Sequence, residues 1–477
     1  MGSEAAPIQL TAEQQAAVEL LKQAIATRGE AAILGPAGSG KTYTVRALLS
    51  GLGDGEVPLL VAPSHKARRV LEAGLEGIEG LRSTTVASLL RMGPAIDSTT
   101  GQIAFRRSAT ADPLLATALR SGPPPTLLLV DEVSMVPSHH ADQIADVARQ
   151  LGAALLWCGD PAQLPPPETG QLSPRFTNNP NTARLETVMR TGAGPILELS
   201  VAVRHARHPR VVWPTRSHQG GSSEVVVHPD RDAWLAAACK AISDPRWADD
   251  PDRARAVFWT HQNANSTAKA IRAQLYGADA ERTWHPGEWL SAVRGLPPEG
   301  SALGAPVAPC CTELQILKVG TPEPLAIELG EFTRYTPKTH KARTVAIAAE
   351  TTASRVLVLD RATGEEHELW LEPPATSGAW EGQVKKVRSL VREHIHDHRE
   401  RAKLLELVAD LGTFCPWLRP AQTMTVHASQ GSSFGEVFTG QDLSWCQQDV
   451  DRLAYVAITR AQHRLHVMPW VGGGWSS

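Results

Sequence analysis

Four short apolar runs mark the first 160 residues: Ala31–Leu34, Leu59–Ala62, Leu127–Val130 and Ala153–Cys158. Each is apolar without alternation, the pattern of a strand buried on both faces. Helical stretches separate them, so the pattern predicts a parallel sheet covered by helices on both sides. Each run ends in glycine or polar residues, and in such sheets ligands gather at the carboxyl ends of the strands. Upstream, residues 11–28 have helical spacing, with Thr11 placed as N-cap and Gln14 three residues on, the pairing of a capping box.

Residues 91–125 break this rhythm. Ser98–Gly101 reads as a turn and Gln102–Arg107 as the returning strand of a small inserted hairpin, and Ser121–Pro125 leads back into the sheet. A second alternation starts near residue 254, with a strand at Ala256–Trp259 and a helix from Asn263 to Leu275. From Trp284 to about Pro374 the pattern changes to short strands rich in Gly and Pro. Among these, Arg355–Leu359 and His367–Leu371 form a hairpin through Asp360–Gly364. Residues 380–410 are charged and read as helical, and the α/β pattern resumes at Ala421. Residues 285–411 are thus expected to be an insertion, a small β-barrel plus a helical element. Trp284, Trp289, Trp370 and Trp380 lie in or beside it and read as core or docking residues.

At 477 residues the chain is too long for one ordinary core. No apolar run approaches the roughly 20 residues that span a bilayer. The N-terminus has neither the basic region nor the apolar core of a secretory signal, so a cytoplasmic protein is expected. Six cysteines without a C-x-x-C pair suit a reduced protein lacking a zinc site. A net charge of −3 excludes a general basic coat, so any nucleic-acid site must be a local channel.

The chemistry concentrates at the strand ends. Gly35-Pro36-Ala37-Gly38-Ser39-Gly40-Lys41-Thr42 matches G-x-x-x-x-G-K-[ST] between a strand and a helix, the context a P-loop needs. Its glycines let backbone N–H groups curl around phosphates, Lys41 reaches the β- and γ-phosphates, and Thr42 reaches a Mg²⁺. ATP and Mg²⁺ are therefore the expected cofactors. Asp131 and Glu132 end an apolar strand, with Asp131 placed to hold the metal through water and Glu132 to activate the attacking water. Gln163, after the next strand, offers an amide to a γ-phosphate or its water; a proline-rich structural turn is the other reading of Gly159–Pro166.

Together these motifs resemble superfamily 1 helicases, specifically the RecD-like group (superfamily 1B) of 5′→3′ enzymes that includes the phage Dda type. Leu10–Gln14 resembles the Q motif, Ala62–Ala67 motif Ia, Thr85–Leu90 motif Ib, Asp131–Met135 motif II and Gly159–Pro166 motif III. Leu185–Arg190 matches motif IV, Thr423–Gly431 motif V and Tyr455–Ala461 motif VI. The sequence departs from the family at Ala87, His261 and Ala268.

The resemblance implies two tandem RecA-like domains, at 1–184 and at 185–284 with 412–477. The hairpin is inserted in the first, and an SH3-like barrel with a helical extension in the second. It implies that Gln14 reads adenine, that Gln430 and Gly431 border the nucleotide, and that Arg190 and Arg460 reach the γ-phosphate from the second domain. Single-stranded DNA is implied to lie on Pro63, Ser64, His65, Lys66, Thr85, Ser88, Thr425 and His427, with Phe105 of the hairpin at the fork. The expected activity is ATP-dependent 5′→3′ DNA unwinding. The alternatives are a RecD-like motor subunit of a recombination nuclease, or a non-unwinding ATPase that remodels protein–DNA complexes. The expected partners are single-stranded DNA and the fork, together with a single-strand-binding, replication or recombination protein. The protein itself is expected to be monomeric, with no membrane contact.

Overall fold

The computed structural model describes residues 9–468 except 54, 79, 98, 108–121, 189–193, 206–212, 293, 337–340 and 447–448. The first sheet takes β1 (Glu30–Leu34), β2 (Pro58–Ala62) and β3 (Arg82–Thr85). An antiparallel hairpin of β4 (Met92–Ile96) and β5 (Ile103–Arg107) then leaves the sheet, pairing Pro94 with Phe105. The chain returns for β6 (Leu127–Val130), β7 (Ala154–Gly159) and β8 (Thr182–Arg184), giving the parallel order β3-β2-β6-β7-β1-β8. The apolar runs pack into two cores, one on each face of this sheet. Strand β3 was not expected: Arg-Ser-Thr-Thr has no apolar residue, and the parallel ladder to β2 makes it a strand.

The second sheet begins earlier than residue 254, with β9 (His218–Gly220) and β10 (Ser223–Val227) before β11 (Ala254–Phe258). His-Gln-Gly carries no strand signal, and β9 is held by its antiparallel pairing to β10. The chain then leaves for an antiparallel insertion: β12 (Trp289–Ala292), β13 (Thr312–Val319), β14 (Glu323–Thr336), β15 (Lys341–Asp360), β16 (Glu366–Leu371) and β17 (Arg419–Pro420). It re-enters as β18 (Thr423–Thr425), β19 (Phe434–Thr439) and β20 (Ala461–Val467), completing the order β18-β11-β19-β20-β10-β9. Both sheets have the RecA-like arrangement.

Within the insertion, β14 and β15 run 14 and 20 residues, far longer than the short strands the Gly/Pro pattern suggests. A register shift between Glu328 and Gly330 keeps this ribbon paired through its irregularity. The helices Ala379–His394 and His398–Leu411 lay Val384, Val387, Val391, Leu405 and Val408 on the ribbon's Phe332, Ile347 and Ala349. Trp284, Trp289 and Trp380 are buried, each with its indole N–H on a backbone carbonyl, as their core reading requires. Trp370 lies under the Arg355 guanidinium.

Among the described residues, the first domain meets this insertion in two places. Ile96 of β4 joins the core around the two helices, Gly101 lies against Leu405 and Arg388, and Arg392 Nε donates to Thr99 O at 2.9 Å. In the second contact, Glu313 of β13 is bound by Arg255, Arg361 and, at 3.7 Å, by Lys66 of the first domain. Burial alone would push the Glu313 carboxyl up, but Arg255, Lys66 and Arg361 outweigh it and bring it down to about 2.

Candidate nucleotide site and nucleic-acid interface

The loop after β1 turns on Gly38 and Gly40, at φ +81° and +83°, before the helix Lys41–Ser50 begins. Gly40 has a second constraint, because a Cβ there would lie 2.4 Å from Gln14 Nε2. Gly35 is packed as tightly, a Cβ there falling 2.6 Å from Leu185 O. Lys41 Nζ donates to Gly35 O at 2.8 Å and Pro36 O at 2.9 Å, so the ammonium lies folded over the loop. Thr42 follows it in the first turn of the helix. Gln14 forms the expected capping box: its Oε1 accepts from Thr11 N–H, while Nε2 points at Ser39 O, 3.5 Å away.

Asp131 and Glu132 follow β6 directly. Burial raises the Asp131 carboxyl, opposed by the Glu132 backbone N–H, the Cys158 thiol and Lys41. Burial also raises Glu132, and neighbouring Asp131 raises it further against the pull of Arg460 and Lys41. Glu132 adopts a left-handed backbone, φ +47°, unusual for a residue with a side chain. Gln163 is buried, and its Oε1 has no hydrogen-bond partner among the described residues.

The second domain closes over these loops. Arg460, at the end of the helix Val450–Thr459, is buried and donates to Ser432 O at 2.8 Å and Val456 O at 3.2 Å. Gln430 Nε2 donates to Leu164 O at 3.2 Å, and Gly431, at φ +73°, abuts Ala67. Both therefore touch first-domain segments. Arg190 lies outside the described residues.

Three residues to which the sequence reading gave no individual role also meet here: Asp160 of motif III, Tyr455 of motif VI and Arg204. Tyr455 Oη accepts from Ala37 N–H at 3.1 Å and donates to Asp160 Oδ2 at 2.6 Å. Arg204 Nη1 reaches Asp160 Oδ1 at 2.6 Å and Tyr455 Oη at 3.0 Å. A cavity of about 350 Å³ opens beside Ala37, lined from the second domain by Ile196, Ser200, Ser223, Thr459, Gln462 and His463.

At the other edge of each sheet the expected nucleic-acid residues recur in one design. A strand ends in a hydroxyl that caps the next helix: Ser64 after β2, Thr85 after β3, Thr425 after β18. Thr260 after β11 does the same, completing two per sheet. Ser88 accepts from the Thr85 hydroxyl at 3.0 Å. Pro63 precedes the Ser64 cap. Burial and the neighbouring Arg68 and Arg69 hold His65 below its usual range, and burial does the same for His427. Lys66 lies over the Phe434 ring and is paired with Glu313, so its ammonium is engaged across the domains. Phe105 is 54% exposed on the hairpin.

Comparison with known proteins adds to this geometry. Residues 9–219 match the family model of an AAA domain, and residues 420–468 that of the UvrD-like helicase C-terminal domain. An uncharacterized protein of Acanthamoeba polyphaga mimivirus is 27% identical over 190 residues, 36% of this chain. The chain spans only 37% of that relative's length. Among solved structures, the Pif1 helicase from Candida albicans shows 13% identity and a TM-score of 0.44, covering 98% of this chain and 96% of that one. Pif1 helicase from Bacteroides, in complex with ADP-AlF3 and ssDNA, shows 14% identity and a TM-score of 0.47, covering 98% and 94%. The two family-model matches thus lie toward opposite ends of the chain, the AAA domain first and the UvrD-like helicase C-terminal domain last. No helix among the described residues is long and apolar enough to cross a membrane.

Proposed function

We propose that the protein is an ATP-driven DNA helicase of the RecD-like superfamily 1B kind, moving 5′→3′ on single-stranded DNA and opening duplex ahead of it. The observation that carries this reading is the cleft, where a P-loop and two strand-end carboxylates on one sheet face Arg460 from the other. A nucleotide-binding module alone has no use for a guanidinium supplied across a cleft. A motor does, because the developing phosphoryl charge then rewards closure. The order of the two matched family models supports the same reading.

In this scheme Lys41 leaves the Gly35 and Pro36 carbonyls for the β- and γ-phosphates. Glu132 takes the proton of the water that attacks the γ-phosphorus, and Gln163 orients that water through its unengaged Oε1. Arg460 and Arg190 stabilise the transferred charge. Gln14 meets the adenine edge through Nε2, the end not committed to the helix cap. Gln430 and Gly431 hold the second domain against the first. Thr42 and Asp131 suit Mg²⁺: both offer hard oxygen donors, and a carboxylate raised by burial gains most from a cation beside it. The ion would neutralise phosphate charge when bound.

Single-stranded DNA is assigned to the four capped strand ends, whose hydroxyls and imidazoles suit phosphate oxygens and carry no sequence information. The second sheet's insertion is assigned as an SH3-like barrel with a helical extension, and the β4–β5 hairpin as the pin that splits the fork at Phe105. The direct test is ATP hydrolysis with and without single-stranded DNA. Strong stimulation in the wild type, absent in Lys41→Ala, is the expected result; hydrolysis indifferent to DNA would contradict the proposal.

A further inference from the structure

Tyr455 belongs to the second motor domain, yet its hydroxyl touches two loops of the first. It accepts from the P-loop amide of Ala37 and donates to Asp160, the residue that follows β7. Asp160 is fully buried and shapes the loop leading to Gln163: its Oδ1 accepts from Ala162 N–H at 3.0 Å, and its carbonyl from Gln163 N–H at 3.1 Å. Arg204, on a different second-domain helix (Pro195–His205), supplies the countercharge and a donor to the same phenol oxygen. Arg452 then holds the Gln163 carbonyl at 3.1 Å. A single phenol therefore joins the phosphate loop, the Gln163 loop and two helices of the opposite domain.

A phosphate oxygen and the Tyr455 hydroxyl are alternative acceptors for the Ala37 N–H, and a charged oxygen is the stronger of the two. Taking that N–H away from Tyr455 leaves its oxygen with the Arg204 donor alone, so Tyr455 and Arg204 of the second domain then bear on the first domain through Asp160 rather than through the P-loop amide. Resting on the helicase reading above, we propose that Tyr455, fixed by Asp160 and Arg204, is a positioning residue that reports phosphate in the P-loop to the Gln163 loop and to the second motor domain. Burial keeps the phenol protonated, so the hydroxyl remains a donor to Asp160 throughout the working pH range.

The experiment is Tyr455→Phe, which keeps the ring and deletes the hydroxyl, with Arg204→Lys as a milder companion. Lysine keeps the charge but lacks the fork that reaches both oxygens. Calorimetric titration with ADP and Mg²⁺ should show tighter binding in Tyr455→Phe, by roughly threefold to tenfold, the range of one released neutral hydrogen bond. In the same variant, nucleotides of DNA traversed per ATP should fall, because phosphate arrival is no longer passed across the cleft. Arg204→Lys should shift both quantities in the same directions by less. Damage to packing would weaken nucleotide binding, so the sign of the change separates the two causes. Unchanged or weaker ADP binding in a Tyr455→Phe protein that melts like the wild type would overturn the proposal. The ADP titration needs no DNA or unwinding, so its outcome stands apart from that of the helicase reading.

Discussion

Glu132 combines a left-handed backbone with a carboxyl that burial and Asp131 hold above its ordinary range. A general base must be ionised to act, so hydrolysis should decline as pH falls through this raised value, higher than an exposed glutamate would give. The alkaline side owes nothing to this group. Glu132→Gln should lower kcat by about 100-fold or more, the usual worth of a positioned base, with nucleotide binding retained. A kcat within a fewfold of wild type would remove Glu132 from that role. Glu313 has the opposite sign. Its carboxyl is brought down to about 2, so its contribution to stability is present above the ordinary glutamate value of 4.5 and is lost as pH falls through the folded value. Glu313→Leu leaves Arg255, with no exposed surface, without its closest carboxylate. A loss of about 3 kcal/mol in denaturant melts is expected, and a loss near zero would show that Asp252 and water replace it. The P-loop, the paired carboxylates and the Thr11–Gln14 cap were legible in the sequence because each is a local pattern. The contacts of Tyr455 were not, since its partners lie 295, 251 and 418 positions away, and no window along the chain contains such a contact.

The β4–β5 hairpin stands outside its parent sheet and rests on the helices of the insertion through Ile96, Thr99 and Gly101. A two-stranded hairpin is marginal alone, so these contacts hold it in place. Ile96→Asp places a charge in that apolar contact and should free the hairpin. Duplex opening should fall several-fold, while DNA-stimulated hydrolysis, which does not use Ile96, stays near wild type. Equal losses in both assays would mean that the hairpin is not a separate working part. The hairpin's existence was readable from its turn residues, and its docking was not, since the helices that receive it lie near residues 388–405. The long β14–β15 ribbon was hidden for a related reason. Its length comes from pairing and from the two helices packed on it, whereas Gly330 and the polar positions break the alternation a strand reading requires.

Across the whole molecule, two sheets with parallel cores repeat one layout, with hydroxyl-capped strand ends at one edge and the cleft between the domains at the nucleotide loops. The alternation of buried strands and helices announced the first sheet well. It announced only part of the second, because β9 and β10 are short segments held by pairing, β10 to β20 and β9 to β10. The first domain meets the rest of the chain from Ala37 to Tyr455, from Leu164 to Gln430 and, at the insertion, from Lys66 to Glu313; on the proposed reading, nucleotide and DNA act on the same closure. The most direct test is unwinding of two partial duplexes, one with a 5′ single-stranded tail and one with a 3′ tail, in ATP and Mg²⁺. Opening of the 5′-tailed duplex alone, abolished in Lys41→Ala, is the predicted result. Opening of neither, or of the 3′-tailed duplex alone, would contradict a 5′→3′ helicase.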